Sequence, residues 1–345
     1  MIDLQGKTLQ QEEQEILKHP LVGGVILFSR NYQSTAQLSE LVASLHAARK
    51  PQLLIAVDHE GGRIQRFREG FTQLPPCALI GKAFDENEHI GMQLADHAGW
   101  VMAAELRAVG VDLSFAPVLD VHKEISSVIG DRSFHRDPEV VARLARAYVI
   151  GMRRAGMSAV GKHFPGHGSV VEDSHVAVPV DKRRFEDIQQ DDMIAFERLV
   201  HAGLPGIMPA HVIYPAVDDR PAGFSSIWLK EILRGQLQFQ GTVFSDDINM
   251  AGAEFAGDYC SRAHCALEAG CDMVLVCNNR DAVLTLLDQF SYSPNPASHA
   301  RLIRMHGKQA VYLDVLHRDR NWQESNKILT ALDKTPELDL GDDAI

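Results

Sequence analysis

Ser158-Ala159-Val160-Gly161-Lys162-His163-Phe164-Pro165-Gly166-His167-Gly168 is the stretch that decides how the chain folds. Its first four residues are a short apolar run that reads as a buried strand. Titratable groups then leave the strand end in close succession: Lys162, His163 and His167, and a little further on Asp173-Ser174-His175. Pro165, Gly166 and Gly168 exclude a helix and point to a backbone held in an unusual shape. Loops at such positions carry function more often than cores do. Two blander readings stand beside a catalytic one: a solvated polar loop, and a metal site.

The same arrangement recurs outward from this stretch. Apolar runs at Leu21–Phe28, Leu53–Val57, Leu113–Val118, Gly206–Ala210, Thr242–Phe244 and Met273–Val276 read as strands. Helical spacing is read between them, at about 9–18, Thr35–Ala48, Glu88–Val109, Pro138–Ala155 (capped by Asp137), Ile188–Ala202, Ser226–Gln238, Ser261–Ala269, Arg280–Gln289 and His299–Leu316. Continuous apolar strands alternating with helices predict an α/β fold with a parallel sheet buried on both faces. Polar residues choose between an open sheet and a (β/α)8 barrel. Asp58, Asp120, His163, His211, Asp246 and Asn278 all fall just past the C-terminal ends of strands. A barrel gathers those ends at one mouth, whereas an open sheet needs only a few of them. The expectation is a single (β/α)8 TIM-type barrel over residues 1–334, with Met1–Gln5 as an irregular eighth strand. Residues 335–345 are acidic and poor in large apolar groups, which predicts a loose tail. No Gly-rich phosphate fingerprint is present.

Composition narrows the function. Apolar residues are 45% and charged residues 23% of 345, with a formal net charge of −12. That balance fits a soluble enzyme and argues against non-specific binding to nucleic acid or anionic lipid. The sequence shows no secretory signal and no apolar run near the ~18 residues of a membrane span. Five cysteines, Cys77, Cys260, Cys265, Cys271 and Cys277, form no disulfide framework and read as reduced core residues. A cytoplasmic protein is expected, with no nucleic-acid or membrane partner. Because the strand-end motifs are complete in one chain, a monomer is the default.

Several residues could carry chemistry. A carboxylate at the Ser245-Asp246-Asp247 strand end would be partly desolvated and fixed in direction, which suits a nucleophile or a stabiliser of a forming cation. The pair could also hold a divalent metal or cap a helix. In Asp173-Ser174-His175 the histidine can share a ring N–H with the aspartate and use its other nitrogen as proton donor or acceptor; a local loop hydrogen bond is the alternative. Arg66, Arg132, Lys162 and Arg63 could bind sugar hydroxyls, carboxylates or phosphates, or serve as structural ion pairs, the second reading being favoured for Arg63. Asp58 could accept from a pair of hydroxyls or pair with an arginine. A metal site would draw on His163, His167, Asp173 and His175, but their spacing matches no helix-based zinc pattern.

These motifs resemble a known family. KHFPGHG at 162–168 followed by Asp173-Ser174-His175, with FSDDINM at 244–250, is similar to glycoside hydrolase family 3. VDHEGGRIQRF at 57–67, FAPVLDV at 115–121 and IGDRSFH at 129–135 narrow the resemblance to its bacterial β-N-acetylglucosaminidases of peptidoglycan recycling. The resemblance implies one barrel domain without the second domain that many members carry. It implies Asp246 as nucleophile, His175 as acid/base with Asp173 as its partner, and Asp58, Arg66, Arg132, Lys162 and His163 as substrate contacts, with His167 shaping the loop. It implies no cofactor and no metal. The sequence departs where His59 replaces a frequent Gln and at Ser169–Glu172. The implied reaction is removal of terminal β-linked N-acetylglucosamine from anhydro-muropeptide fragments through a covalent glycosyl-aspartate. Alternatives are a phosphorylase on the same scaffold, a metal-dependent barrel hydrolase and a non-catalytic sugar-binding protein.

Overall fold

A computed structural model describes residues 1–126, 128–171, 178–293, 295–308 and 311–332. Eight described strands lie in two four-stranded parallel sheets. The first sheet runs in the order β1 (Ile2–Asp3), β2 (Gly24–Leu27), β3 (Leu54–Val57) and β4 (Leu113–Ser114). The second contains β5 (Val160–Phe164), β6 (Gly206–Pro209), β7 (Thr242–Asp247) and β8 (Met273–Leu275), each beside its neighbour in sequence. Isolated parallel bridges join the sheets at both edges, Ile2 to Val276 and Val118 to Lys162. The strands are short and nearly all buried, as the unbroken apolar runs require.

Helices follow the strands. They are α1 (Gln11–Lys18), α2 (Thr35–Ala47), α3 (Cys77–Glu86), α4 (Glu88–Ala108), α5 (Pro138–Arg154), α6 (Phe185–Gln189), α7 (Met193–His201), a π-type helix Ile227–Gln236, α8 (Tyr259–Ala269), α9 (Arg280–Gln289), α10 (Pro296–Ile303), α11 (Leu313–Leu316) and α12 (Arg320–Leu332). Asp137 caps α5 by accepting from the Glu139 N–H at 2.9 Å, with Pro138 in the first turn.

The structure differs from the sequence reading at several places. Lys162 and His163 belong to β5 itself, and Asp246 and Asp247 to β7, instead of lying past the strand ends. The helix expected over Ile188–Ala202 breaks at Gln190–Asp192. There the fully buried Asp192 turns inward to meet Arg183 Nη2 at 2.7 Å. The helix expected over His299–Leu316 ends at Ile303, and Gly307 packs so closely that a Cβ would sit 2.1 Å from the Arg107 guanidinium carbon. Cys260 and Cys265 are only half-buried, unlike Cys77, Cys271 and Cys277. Asp173, His175 and the 335–345 tail lie outside the described residues. No described helix is long and apolar enough to cross a membrane.

Candidate active site

A cleft of about 230 Å³ opens where the C-terminal ends of the strands meet. Asp58, Arg66, Arg132, Lys162, His163 and Asp246 all line it. Four segments of the chain bring these side chains together, the stretches that follow β3 and β4 and the strands β5 and β7, while Asp120 and His211 of the expected strand-end set are not in the cleft wall. Phe28, Met208, Met250 and Cys277 supply apolar wall.

The cationic side is built on Glu60, which the residue-level reading passed over. Arg132 grips it with both edges of its fork, Nε to Oε2 and Nη2 to Oε1, each at 2.8 Å. Lys162 Nζ lies 2.7 Å from Glu60 Oε1 and 2.8 Å from Asp58 Oδ1. Burial alone would raise the Glu60 pKa, but Arg132 and Lys162 outweigh it and hold the carboxyl well below its usual range. Burial likewise opposes the Lys162 ammonium, and Asp58 and Glu60 more than offset it, so that lysine stays charged. The signal for Glu60 was its position. It lies two residues after Asp58, entering the hairpin His59–Gly61 with Ile64–Gln65, and period-two alternation places the pair on one side.

Arg66 enters from the other side of Asp58, its Nη2 at 3.9 Å from Oδ2 and its guanidinium carbon 5.5 Å from the centre of the Phe28 ring. This is a loose ion pair, and the fork faces the cleft rather than being spent on the carboxylate. Arg63 points elsewhere, to Asp131 at 3.0 Å, both side chains being about half exposed. That is the structural pairing expected of it.

His163 is locked by Asp120. The carboxylate, fully buried in the segment that follows β4, lies 2.7 Å from His163 Nδ1 and accepts from the His163 N–H at 3.2 Å and the His167 N–H at 2.7 Å. Burial would raise the Asp120 pKa, and the neighbouring His163 brings it below the ordinary value. His167 packs its ring edge-on to His163, centroids 5.9 Å apart, and burial lowers its pKa, with His163 adding to the effect. Its ring lines the cleft. Among the described residues no group of three or more His, Cys, Asp or Glu is placed to hold a metal ion.

Asp246 lines the same cleft. Its Oδ1 accepts the Asp247 N–H at 2.8 Å, which fixes the carboxylate in direction. Asp247 faces the cleft as well, and its Oδ1 accepts the N–H groups of Asn249 and Cys277, each at 3.0 Å. Burial pushes Asp247 up to about 7, and the charge of Asp246 adds to the shift. His211, another expected strand-end group, is stacked on Phe224 at 5.1 Å and approaches the Asp247 carbonyl at 3.2 Å; it is support for β7 and does not line the cleft. The arrangement gathers a directed carboxylate and a set of hydrogen-bond donors around one cleft.

Comparison with known proteins agrees with this chemistry. Residues 1–303 match the glycosyl hydrolase family 3 N-terminal domain, and the chain belongs to that family. It is 56% identical over 340 residues to a protein named Beta-hexosaminidase from Thioalkalivibrio sulfidiphilus, covering 99% of this chain and 98% of the relative. It is similar to the crystal structure of NagZ from Neisseria gonorrhoeae in complex with N-trifluoroacetyl-D-glucosamine, with a TM-score of 0.92, 44% identity, and coverage of 96% of this chain and 97% of that one. A family 3 β-N-acetylglucosaminidase from Paenibacillus shows a TM-score of 0.86 at 30% identity, with 96% of this chain matched to 66% of the larger protein.

Proposed function

We propose that the chain is a retaining exo-β-N-acetylglucosaminidase, working as one catalytic domain over residues 1–334 whose eight strands close into a (β/α)8 barrel. The bridges from Ile2 to Val276 and from Val118 to Lys162 support closure, since they link the free edges of the two sheets. As a family 3 glycoside hydrolase it is a β-hexosaminidase, the activity borne by the names of its relatives. The observation that carries the finer reading is the convergence of Asp246 with Asp58, Arg66, Arg132, Lys162 and His163 on one cleft. Its volume falls below the roughly 300–1,000 Å³ of sites that enclose drug-sized ligands, in keeping with one sugar ring and exo action.

In this mechanism a carboxylate oxygen of Asp246 attacks the anomeric carbon. The glycosidic C–O bond breaks as His175 gives its proton to the leaving oxygen. Water then attacks the glycosyl-aspartate, His175 takes the proton, the ester bond to Asp246 breaks, and the sugar leaves with its β configuration kept. Asp173 favours the cationic form of His175 before the first step and, once the proton is given up, holds the neutral ring in the tautomer that can take a proton from water. Lys162, Arg132, Arg66 and His163 donate to the sugar and Asp58 accepts from it, which fixes the ring against Asp246. The natural substrate class in this reading is an anhydro-muropeptide carrying a terminal β-1,4-linked N-acetylglucosamine, met in the cytoplasm during cell-wall recycling.

The test is kinetic. With an aryl β-N-acetylglucosaminide, Asp246→Ala should cost at least about 10³-fold in kcat. His175→Ala should cost little with an activated leaving group and much with a poor one, because only the latter needs its proton. Near-normal activity of Asp246→Ala, or a uniform loss in His175→Ala, would contradict the assignment. Sugar 1-phosphate formed in the presence of phosphate would move the reading to a phosphorylase.

A further inference from the structure

Arg66 sits on a segment that the cleft itself does not hold. Its two neighbours in sequence are both buried. Phe67 is packed among Tyr32, His59 and Phe71, with ring centroids 5.1, 5.7 and 5.6 Å away. Gln65 donates from Nε2 to the carbonyls of Phe67 at 3.0 Å and Thr72 at 2.9 Å, and its Oε1 accepts the Leu74 N–H at 3.1 Å. The placement of Arg66 therefore depends on Thr72, through Gln65.

Thr72 in turn is held from outside the sheet. Glu105, in the body of α4 and 1% exposed, accepts the Thr72 N–H on Oε2 at 2.9 Å and the Thr72 hydroxyl on Oε1 at 2.5 Å. Two further bonds come from α12. Trp322 Nε1 donates to Glu105 Oε1 at 2.9 Å, and Asn326 Nδ2 donates to the Thr72 hydroxyl at 2.6 Å. A second tie, Ser325 Oγ to His97 Nδ1 at 2.7 Å, seats α12 on α4. Burying a carboxylate costs free energy unless its acceptor capacity is used. Burial pushes the Glu105 carboxyl up to about 7, with the bonds from Thr72 and Trp322 opposing the shift; in its ionised form it accepts from all three donors, a demand that glutamine does not meet, since it would turn an NH2 toward one of them.

We infer that Glu105 is a positioning residue for Arg66, and that α12, which lies beyond the residues 1–303 matched by the family model, is the strut that completes the connection. The inference rests on the reading of Arg66 as a sugar contact. Loosening Glu105 lets Thr72 and Gln65 shift, and the Arg66 fork loses its aim while Asp246 stays in place on β7.

The experiment is a double-mutant cycle of Glu105→Gln with Arg66→Ala, reading kcat and KM on an aryl β-N-acetylglucosaminide. Arg66→Ala alone should raise KM, and Glu105→Gln should raise it about tenfold with kcat within about twofold, the signature of lost uniform binding. In the Arg66→Ala background the Glu105→Gln effect should vanish, because coupled residues are not additive. Asn326→Ala and Trp322→Phe, which loosen the same junction from its half-exposed side, should give a smaller KM effect that also vanishes with Arg66→Ala; they serve as the readout if Glu105→Gln does not fold. Equal fold-losses in both backgrounds, or a wild-type KM in the single variants, would overturn the inference while leaving Arg66 as a contact. A wild-type KM for Arg66→Ala would instead overturn the reading on which the inference rests, and the inference with it.

Discussion

Glu60 is the residue on which the cation set turns. It is 6% exposed and holds both Arg132 and Lys162, so removing it leaves two buried charges short of a partner. Breaking such a cluster by taking away one member typically costs about 3–5 kcal/mol, far more than the pair contributes over an apolar replacement. Glu60→Ala should therefore lower stability by about that amount in urea unfolding and reduce kcat/KM together with it. Glu60→Gln keeps the shape and should unfold less easily than Glu60→Ala; equal stability for the two would show that the charge is not what matters. Asp246, Lys162 and His163 were legible in the sequence because they stand in motifs that resemble those of the family. Glu60 was not, because its partners come from far along the chain, Arg132 from the short turn Gly130–Arg132 and Lys162 from β5, and such contacts leave no spacing that pairs them. Asp173 and His175 lie outside the described residues, so their pairing stands on the sequence.

At the scale of elements, the strands were legible because burial on both faces removes polar residues from them. Short elements were not. The hairpin His59–Gly61 with Ile64–Gln65 is too brief for a period, and α3 follows directly on Pro75-Pro76, which reads as a break. α12 was missed because its apolar face is narrow, with only Ser325 and Leu329 buried, and its hold on α4 comes largely from side-chain hydrogen bonds. Where α4 meets α5 the helices approach through glycine. A Cβ on Gly99 would lie 2.1 Å from the Tyr148 carbonyl oxygen, and one on Gly151 2.2 Å from that of Asp96. Alanine gains about 1 kcal/mol of helix propensity over glycine, but overpacking typically costs about 1–3 kcal/mol. With backbone as the obstacle on both helices, the clash should win, and Gly99→Ala should lower the thermal midpoint. An unchanged or raised midpoint would mean that the helices can separate freely.

For the whole molecule, the same desolvation that directs the site weighs on stability. Asp247 is pushed up to about 7 by burial and by Asp246, from an ordinary value of 3.8. An acid with a raised folded pKa binds more protons folded than unfolded, so its contribution is fully present below about pH 4 and is lost as pH rises through about 7. Asp247→Asn keeps an Oδ1 to accept the Asn249 and Cys277 N–H groups and removes that loss. Relative to wild type it should gain stability between pH 5 and pH 8, by up to about 3 kcal/mol. Urea unfolding at the two pH values checks this, and a pH-independent difference would place the ionisation elsewhere. The overall plan, parallel strands with polar residues at one end, was legible because it follows from burial. What links the edges of the two sheets is two single bridges, Ile2 to Val276 and Val118 to Lys162, which no sequence period announces.

The central claim is that Asp246 forms the covalent glycosyl-enzyme. Turnover of a fluorinated N-acetylglucosaminide that forms the intermediate quickly and releases it slowly, followed by proteolysis and mass spectrometry, tests it directly. The account predicts one sugar mass per chain, carried on Asp246. A label on Asp247, or full inactivation with no covalent adduct, would contradict it.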